Sequence, residues 1–157
     1  MKACRGFTLV ELIVTVAIVG ILASAALPLA ELAIQRQKEI ELSRSLREIR
    51  TGLDAYKKAW DEGRMEKKVE QTGYPPNLDA LVQGVVDAKD PQKKRIFFMR
   101  RLPRDPFNDD RAATAAETWG KRSYASPPDA PAEGADVFDV YSRAPGIALN
   151  GRPYREW

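Results

Sequence analysis

Residues 5–30 read RGFTLVELIVTVAIVGILASAALPLA, and one position in them decides what kind of protein this is: Glu11 is the only charge between Phe7 and Ala30. An ionised carboxylate in lipid costs several kcal/mol unless something pairs with it. The apolar run Phe7–Ala30 would reach roughly 36 Å as a helix, enough to cross a bilayer with some tilt. It exceeds the core of about 7–15 apolar residues found in a secretory signal. The nearest small-residue cleavage candidate, ASAA at 23–26, is followed by more apolar residues. Lys2 and Arg5 precede the span, which places the first six residues in the cytoplasm and the remainder outside.

The chain has 157 residues, room for one domain and an appendage, with a net charge of +3. Its basic runs, Lys93-Lys94-Arg95 and Arg100-Arg101, are short and read as solvated surface, so no nucleic-acid partner is expected. There is no histidine and a single cysteine, Cys4, which excludes histidine acid–base chemistry, Cys/His zinc sites and an intrachain disulfide. Glycine-rich phosphate loops are absent. A Ser-Lys or carboxylate pair stays formally open, but no catalytic constellation is visible, so no catalytic residue is assigned and the chain is read as a non-enzyme.

Leu42, Leu46, Ile49, Leu53, Tyr56 and Trp60 recur at spacings of 4, 3, 4, 3 and 4, a single apolar stripe on a helix. Charges fill the other faces, with Glu41/Arg44, Arg44/Glu48 and Asp54/Lys58 at supportive separations. The stripe is too short for sustained heptads and reads as the surface on which a C-terminal domain packs, with a coiled-coil seam as the alternative. Pro28 predicts a kink or local unwinding in this periodic region. Gly63 and the charged residues to Lys68 end the long helix. GYPPNLDALV predicts a turn into a short helix with Leu78, Leu81 and Val82 inward, and a further short helix is predicted over 90–101. LPRDPFNDD is a loop, Trp119 and Tyr124 mark one short strand, and DVFDVYS marks another. SPPDAPAEGAD reads as a surface loop, Asn150-Gly151 as a turn, and Trp157 as docked back on the domain.

The N-terminal residues resemble a family. The sequence GFTLVEL, preceded by a basic leader and followed by a long apolar helix, is similar to the class III signal of type IV pilins and type II secretion pseudopilins. The resemblance implies an α+β, pilin-like fold: a long N-terminal helix packed on a small domain of short helices and a small antiparallel sheet. It implies that a membrane prepilin peptidase cuts between Gly6 and Phe7 and methylates the new Phe7 amine. Glu11 then has a partner, the Phe7 amine of a neighbouring subunit in a filament. Gly20 and Pro28 fall where pilins carry helix-loosening residues. The resulting organisation is a cleaved leader (1–6), a transmembrane and assembly helix (7–30), its amphipathic continuation (31–62) and a periplasmic globular domain (63–157). Processing would remove Lys2, Cys4 and Arg5 and leave a mature chain without cysteine.

YPP with LDALV, then LPRDPF, a tryptophan, VYS and a terminal EW resemble, more patchily, the major pseudopilin of type II secretion. In that family the last loop commonly holds calcium through aspartates and glycines. Here residues 143–151 read RAPGIALNG, without a carboxylate, so calcium is doubtful there and no cofactor is expected. Asp109, Asp110 and Asp139 are the carboxylates left for another metal site. The resemblance implies a homopolymer in a helical filament, anchored in the inner membrane, with minor pseudopilins and an inner-membrane assembly platform as partners. A subunit of a type IV pilus for adhesion, motility or DNA uptake is the second reading. A membrane-anchored periplasmic enzyme or binding protein is the third.

Overall fold

A computed structural model describes residues 6–67 and 71–157 of the chain. It contains a long helix α1 (Leu9–Asp61), a short helix α2 (Asp79–Gln83), and strands β1 (Val85–Val86), β2 (Arg95–Ile96), β3 (Trp119–Arg122) and β4 (Asp139–Ser142). Single 3₁₀ turns form at Ala115–Thr118 and Tyr154–Glu156. The strands make two antiparallel pairs, β1 with β2 and β3 with β4. This is the α+β, pilin-like arrangement. The chain divides into two compact units, one ending at Gln37 and the other running from Lys38 to Trp157.

In the first unit α1 is helical without a break through Gly20 and Pro28, so the unwinding predicted at proline is not seen in the single chain. Its large apolar residues are bare: Leu9, Val10, Leu12, Ile13, Val16, Ile18 and their neighbours are all exposed. The segment is long and apolar enough to cross a membrane.

The second unit has its own core. Leu42, Leu46, Ile49, Leu53, Tyr56 and Trp60 are all buried, against Leu78 and Leu81 near α2 and Trp119, Val137 and Val140 around the β3–β4 pair. The helix ends at Gly63, whose φ of 71° is the left-handed conformation a side chain disfavours. The amides of Gly63 and Arg64 reach back to the carbonyls of Trp60 and Ala59, which closes the last turn.

Three expectations are corrected. No helix forms over 90–101; Val85–Ile96 is a hairpin in which Val85 faces Ile96 and Val86 faces Arg95. Pro91 lies in its turn, Lys93 takes φ 51°, and the Asp87 amide closes on the Lys94 carbonyl at 2.9 Å. Phe98 and Met99 both donate to the carbonyl of Leu81, which folds this segment onto α2 in place of a helix of its own. The strand begun at Trp119 stops at Arg122, before Tyr124, because the Ser123 amide turns away to Ala132 and the Tyr124 amide to the Asp136 carboxylate. None of the three charge pairs expected on α1 closes to 4.0 Å among the described residues; the intrahelical pairs found there are Lys57–Asp61 and Lys58–Glu62.

Two buried carboxylates fasten the loops. Burial alone would push Asp136 up, but hydrogen bonds from the hydroxyls of Thr72 and Ser123 and the Tyr124 amide outweigh it and hold the group below its ordinary 3.8. The Arg64 guanidinium, hydrogen-bonded to Asp87, likewise holds that carboxyl down. A depressed folded-state pKa supplies stability above the unfolded-state value that is lost as pH falls through the folded one. Thermal unfolding followed by circular dichroism is therefore expected to lose stability below about pH 4. Asp136→Asn should lower the melting temperature at pH 7 and flatten this acid limb.

Candidate processing and assembly site

Thr8 starts α1. Its Oγ1 accepts the amide of Glu11 at 3.2 Å, and its carbonyl accepts the amide of Leu12 at 3.1 Å. This is one half of a capping box, and T-x-x-E at 8–11 is its sequence signature. Sequence reading passed over Thr8, although that spacing was legible. The cap places Glu11 in the first helical turn, where the unpaired amides of the helix end favour a negative charge.

Gly6 and Phe7 precede the helix in non-helical backbone, and Phe7 is 79% exposed. The Gly6–Phe7 peptide bond thus lies outside the helix. A Cβ added at Gly6 would meet nothing within 4 Å, so the chain's own packing does not require glycine there. The same is true of Gly20. Glu11 is exposed and has no cationic side chain within 4.0 Å among the described residues. Lys2, Cys4 and Arg5 lie outside the described residues.

Farther along α1, two polar residues clasp the end of the chain. The Glu39 carboxylate, buried in the domain, accepts the Leu149 amide and the Tyr154 hydroxyl, each at 2.9 Å. Arg50 donates to Asp139 at 2.8 Å and to the carbonyls of Val140 and Trp157 at 3.2 and 2.6 Å. Phe107 stacks on the Tyr154 ring at 4.3 Å. Sequence reading missed Glu39, Arg50 and Tyr154. A signal existed for Glu39: it stands three residues before Leu42, in register with the apolar stripe, where a charge demands a buried partner.

The three remaining carboxylates do not converge. Asp139 is held between Arg50 and Arg122. Asp109 lies 3.9 Å from Lys38, and Asp110 turns one oxygen back to the Ala112 amide. No group of three or more potential metal-binding side chains forms among the described residues. Residues 143–151 offer carbonyls without a carboxylate, a poor donor set for calcium. Their amide and the neighbouring hydroxyl are instead satisfied from α1 by Glu39.

Comparison with known proteins places these features in context. Residues 1–27 match the prokaryotic N-terminal methylation motif. The chain is 31% identical over 124 residues to a type IV major alpha-pilin of Moraxella bovis, covering 78% of this chain and 73% of that protein. It is 27% identical over 110 residues to the type II secretion system core protein G of Klebsiella michiganensis, covering 68% of this chain and 70% of that one. For core protein G of Aeromonas hydrophila the identity is 28% over 120 residues, covering 74% and 76%. No solved structure matches significantly.

Replacing Glu39 by leucine removes the acceptor of the buried Tyr154 hydroxyl and of the part-buried Leu149 amide, and should cost about 1–3 kcal/mol for the buried hydroxyl left unsatisfied. Urea unfolding of the full chain in detergent reads that loss. A calcium chelator should leave the parent curve unmoved.

Proposed function

Because the chain belongs to the type IV pilin-like superfamily, we propose that it is a structural subunit of a type II secretion pseudopilus, a short periplasmic filament that grows from the inner membrane and promotes protein export. The observation that carries this reading is the N-terminal geometry. The Gly6–Phe7 bond lies in non-helical backbone, directly before a bare apolar helix whose first turn holds one carboxylate. The similarity to two core protein G sequences supports the secretion assignment.

In this mechanism the peptidase removes residues 1–6, and the amine of Phe7 appears four positions before Glu11. The apolar helix holds the subunit in the membrane with its domain in the periplasm. Addition to a filament brings the Phe7 amine of one subunit to the Glu11 carboxylate of the next, and neutralisation makes assembly the step that relieves a charge in lipid. Loosening of α1 between Gly20 and Pro28 lets neighbouring helices adjust as they pack. The role is structural, with the peptidase, the assembly platform and minor pseudopilins as partners. The Moraxella relative keeps a pilus subunit as the second reading; deletion separates the two, by loss of secreted proteins or by loss of surface filaments.

N-terminal sequencing of the membrane-extracted protein is expected to begin at a methylated Phe7, and Gly6→Val should leave full-length precursor in the inner membrane. A start at residue 1 or near 27 would overturn the processing step. Glu11→Ala should be processed and inserted normally yet recovered poorly in filaments, since breaking a buried pair costs about 3–5 kcal/mol. Leu12→Ile is the apolar control, and equal filament recovery from Glu11→Ala and Leu12→Ile would remove Glu11 from assembly.

A further inference from the structure

The second unit carries a basic groove that the processing and stem-assembly chemistry does not use. Its walls are the α1 turns bearing Arg44, Arg47 and Glu48 and the segment bearing Arg100 and Arg101, and its volume is about 750 Å³. Four arginines thus face one carboxylate. All four are exposed, and Arg44, Arg100 and Arg101 make no hydrogen bond or ion pair among the described residues. The Arg47 guanidinium donates to the hydroxyl of Ser43, at 2.8 Å, and makes no ion pair among the described residues. Met99 forms the floor, and its Cγ would lie 2.9 Å from a Cβ added at Gly52, so the segment reaches α1 this closely only over glycine. Unneutralised guanidinium groups around an open cleft attract a fixed anion more strongly than scattered surface charges do.

A complementary surface stands elsewhere on the same unit. In the loop after Pro103, the amides of Phe107, Asp110 and Ala112 close on the side chains of Asp105, Asn108 and Asp110. Arg104 also ties the carbonyls of Asp110 and Ala113 together. The result is a rigid knob that presents Asp109 and Asp110. Asp109 is 94% exposed, and its contact with Lys38 at 3.9 Å is the kind of surface pair that adds little. The knob leans on α1 at Lys38, which lies over the Phe107 ring. Lys38 precedes Arg47 by nine residues, about 900° of helical rotation, so knob and groove face opposite ways across the helix. Complementary patches on opposite faces cannot close a two-fold dimer; they join copies head to tail into an open chain.

We propose that the Asp109–Asp110 knob of one copy enters the Arg44/Arg47/Arg100/Arg101 groove of the next, a second contact in the polymer beyond the Phe7–Glu11 pair. This rests on the filament reading above. The test is disulfide cross-linking of the full chain in membranes, in a Cys4→Ser background. Asn108→Cys with Thr51→Cys should give a ladder of linked oligomers, whereas either cysteine alone should stop at dimers. Arg100→Glu with Arg101→Glu should abolish the ladder, as should Asp109→Arg with Asp110→Arg, and combining all four reversals should restore it. Rescue by the combined set excludes misfolding as the cause of the loss. A ladder that survives either reversal, or is not restored by the combination, overturns the proposal. Paired cysteines on the α1 stem are assayed in parallel. A stem ladder without the 51–108 ladder sinks the knob contact alone, and absence of both sinks polymerisation with it.

Discussion

The structure depends on α1 having two different solvents. From Lys38 onward its apolar stripe is covered by the chain's own loops and strands, and Leu42, Ile49 and Leu53 are essentially inaccessible. From Leu9 to Ala30 the same helix carries a single charge, and its large apolar residues are exposed among the described residues. A helix hydrophobic all round is stable only in lipid or among other helices. The first unit therefore calls for lipid or other helices, and Glu11, with no cationic side chain within 4.0 Å among the described residues, adds a specific demand to a general one.

Polar residues of α1 decide how the second unit closes. Beyond α1 the described part of the domain has little regular structure: two strand pairs, the short helix α2 and two 3₁₀ turns, joined by long loops. Small sheets of this kind do not stand alone. They are fastened by charged groups that reach from the helix, Arg50 to β4 and Glu39 to the last loop, and by Asp136 and Asp87 within the loops. Charged hydrogen bonds of this sort are short and directional, so they fix register where apolar contact alone would permit sliding.

The helix, the membrane stretch and the buried stripe were legible because each is a periodic or compositional signal that survives any tertiary context. The Gly6–Phe7 and Glu11 pattern was legible as a combination of residue types in fixed order. The 90–101 segment misled because RIFFMRRL has an apolar spacing compatible with a helix, while Pro91 and the carbonyl of Leu81 favour a hairpin and a return strand. Tyr124 lost its strand to a carboxylate twelve residues away, a partner no local pattern announces. Arg50 was invisible for the same reason, with partners 89 to 107 residues downstream, and the stripe register that marked Glu39 for burial did not name its partners, 110 and 115 residues away. The likeness at the N-terminus therefore identified the family while leaving the architecture of the C-terminal loops to be found.

Those separations have a consequence for how the chain is made. Synthesis from the N-terminus delivers α1 well before Asp139, Leu149, Tyr154 and Trp157, so the Arg50 and Glu39 contacts that fasten the cover of the Leu42–Trp60 stripe wait for another 89 to 115 residues. Contacts this distant in sequence impose a late, slow closure on folding. Until then the stripe is an adhesive surface, and exposed apolar surface in partly folded chains invites aggregation. Closure of the domain thus trails the synthesis of α1, and the stripe stays at risk for as long as its cover is incomplete.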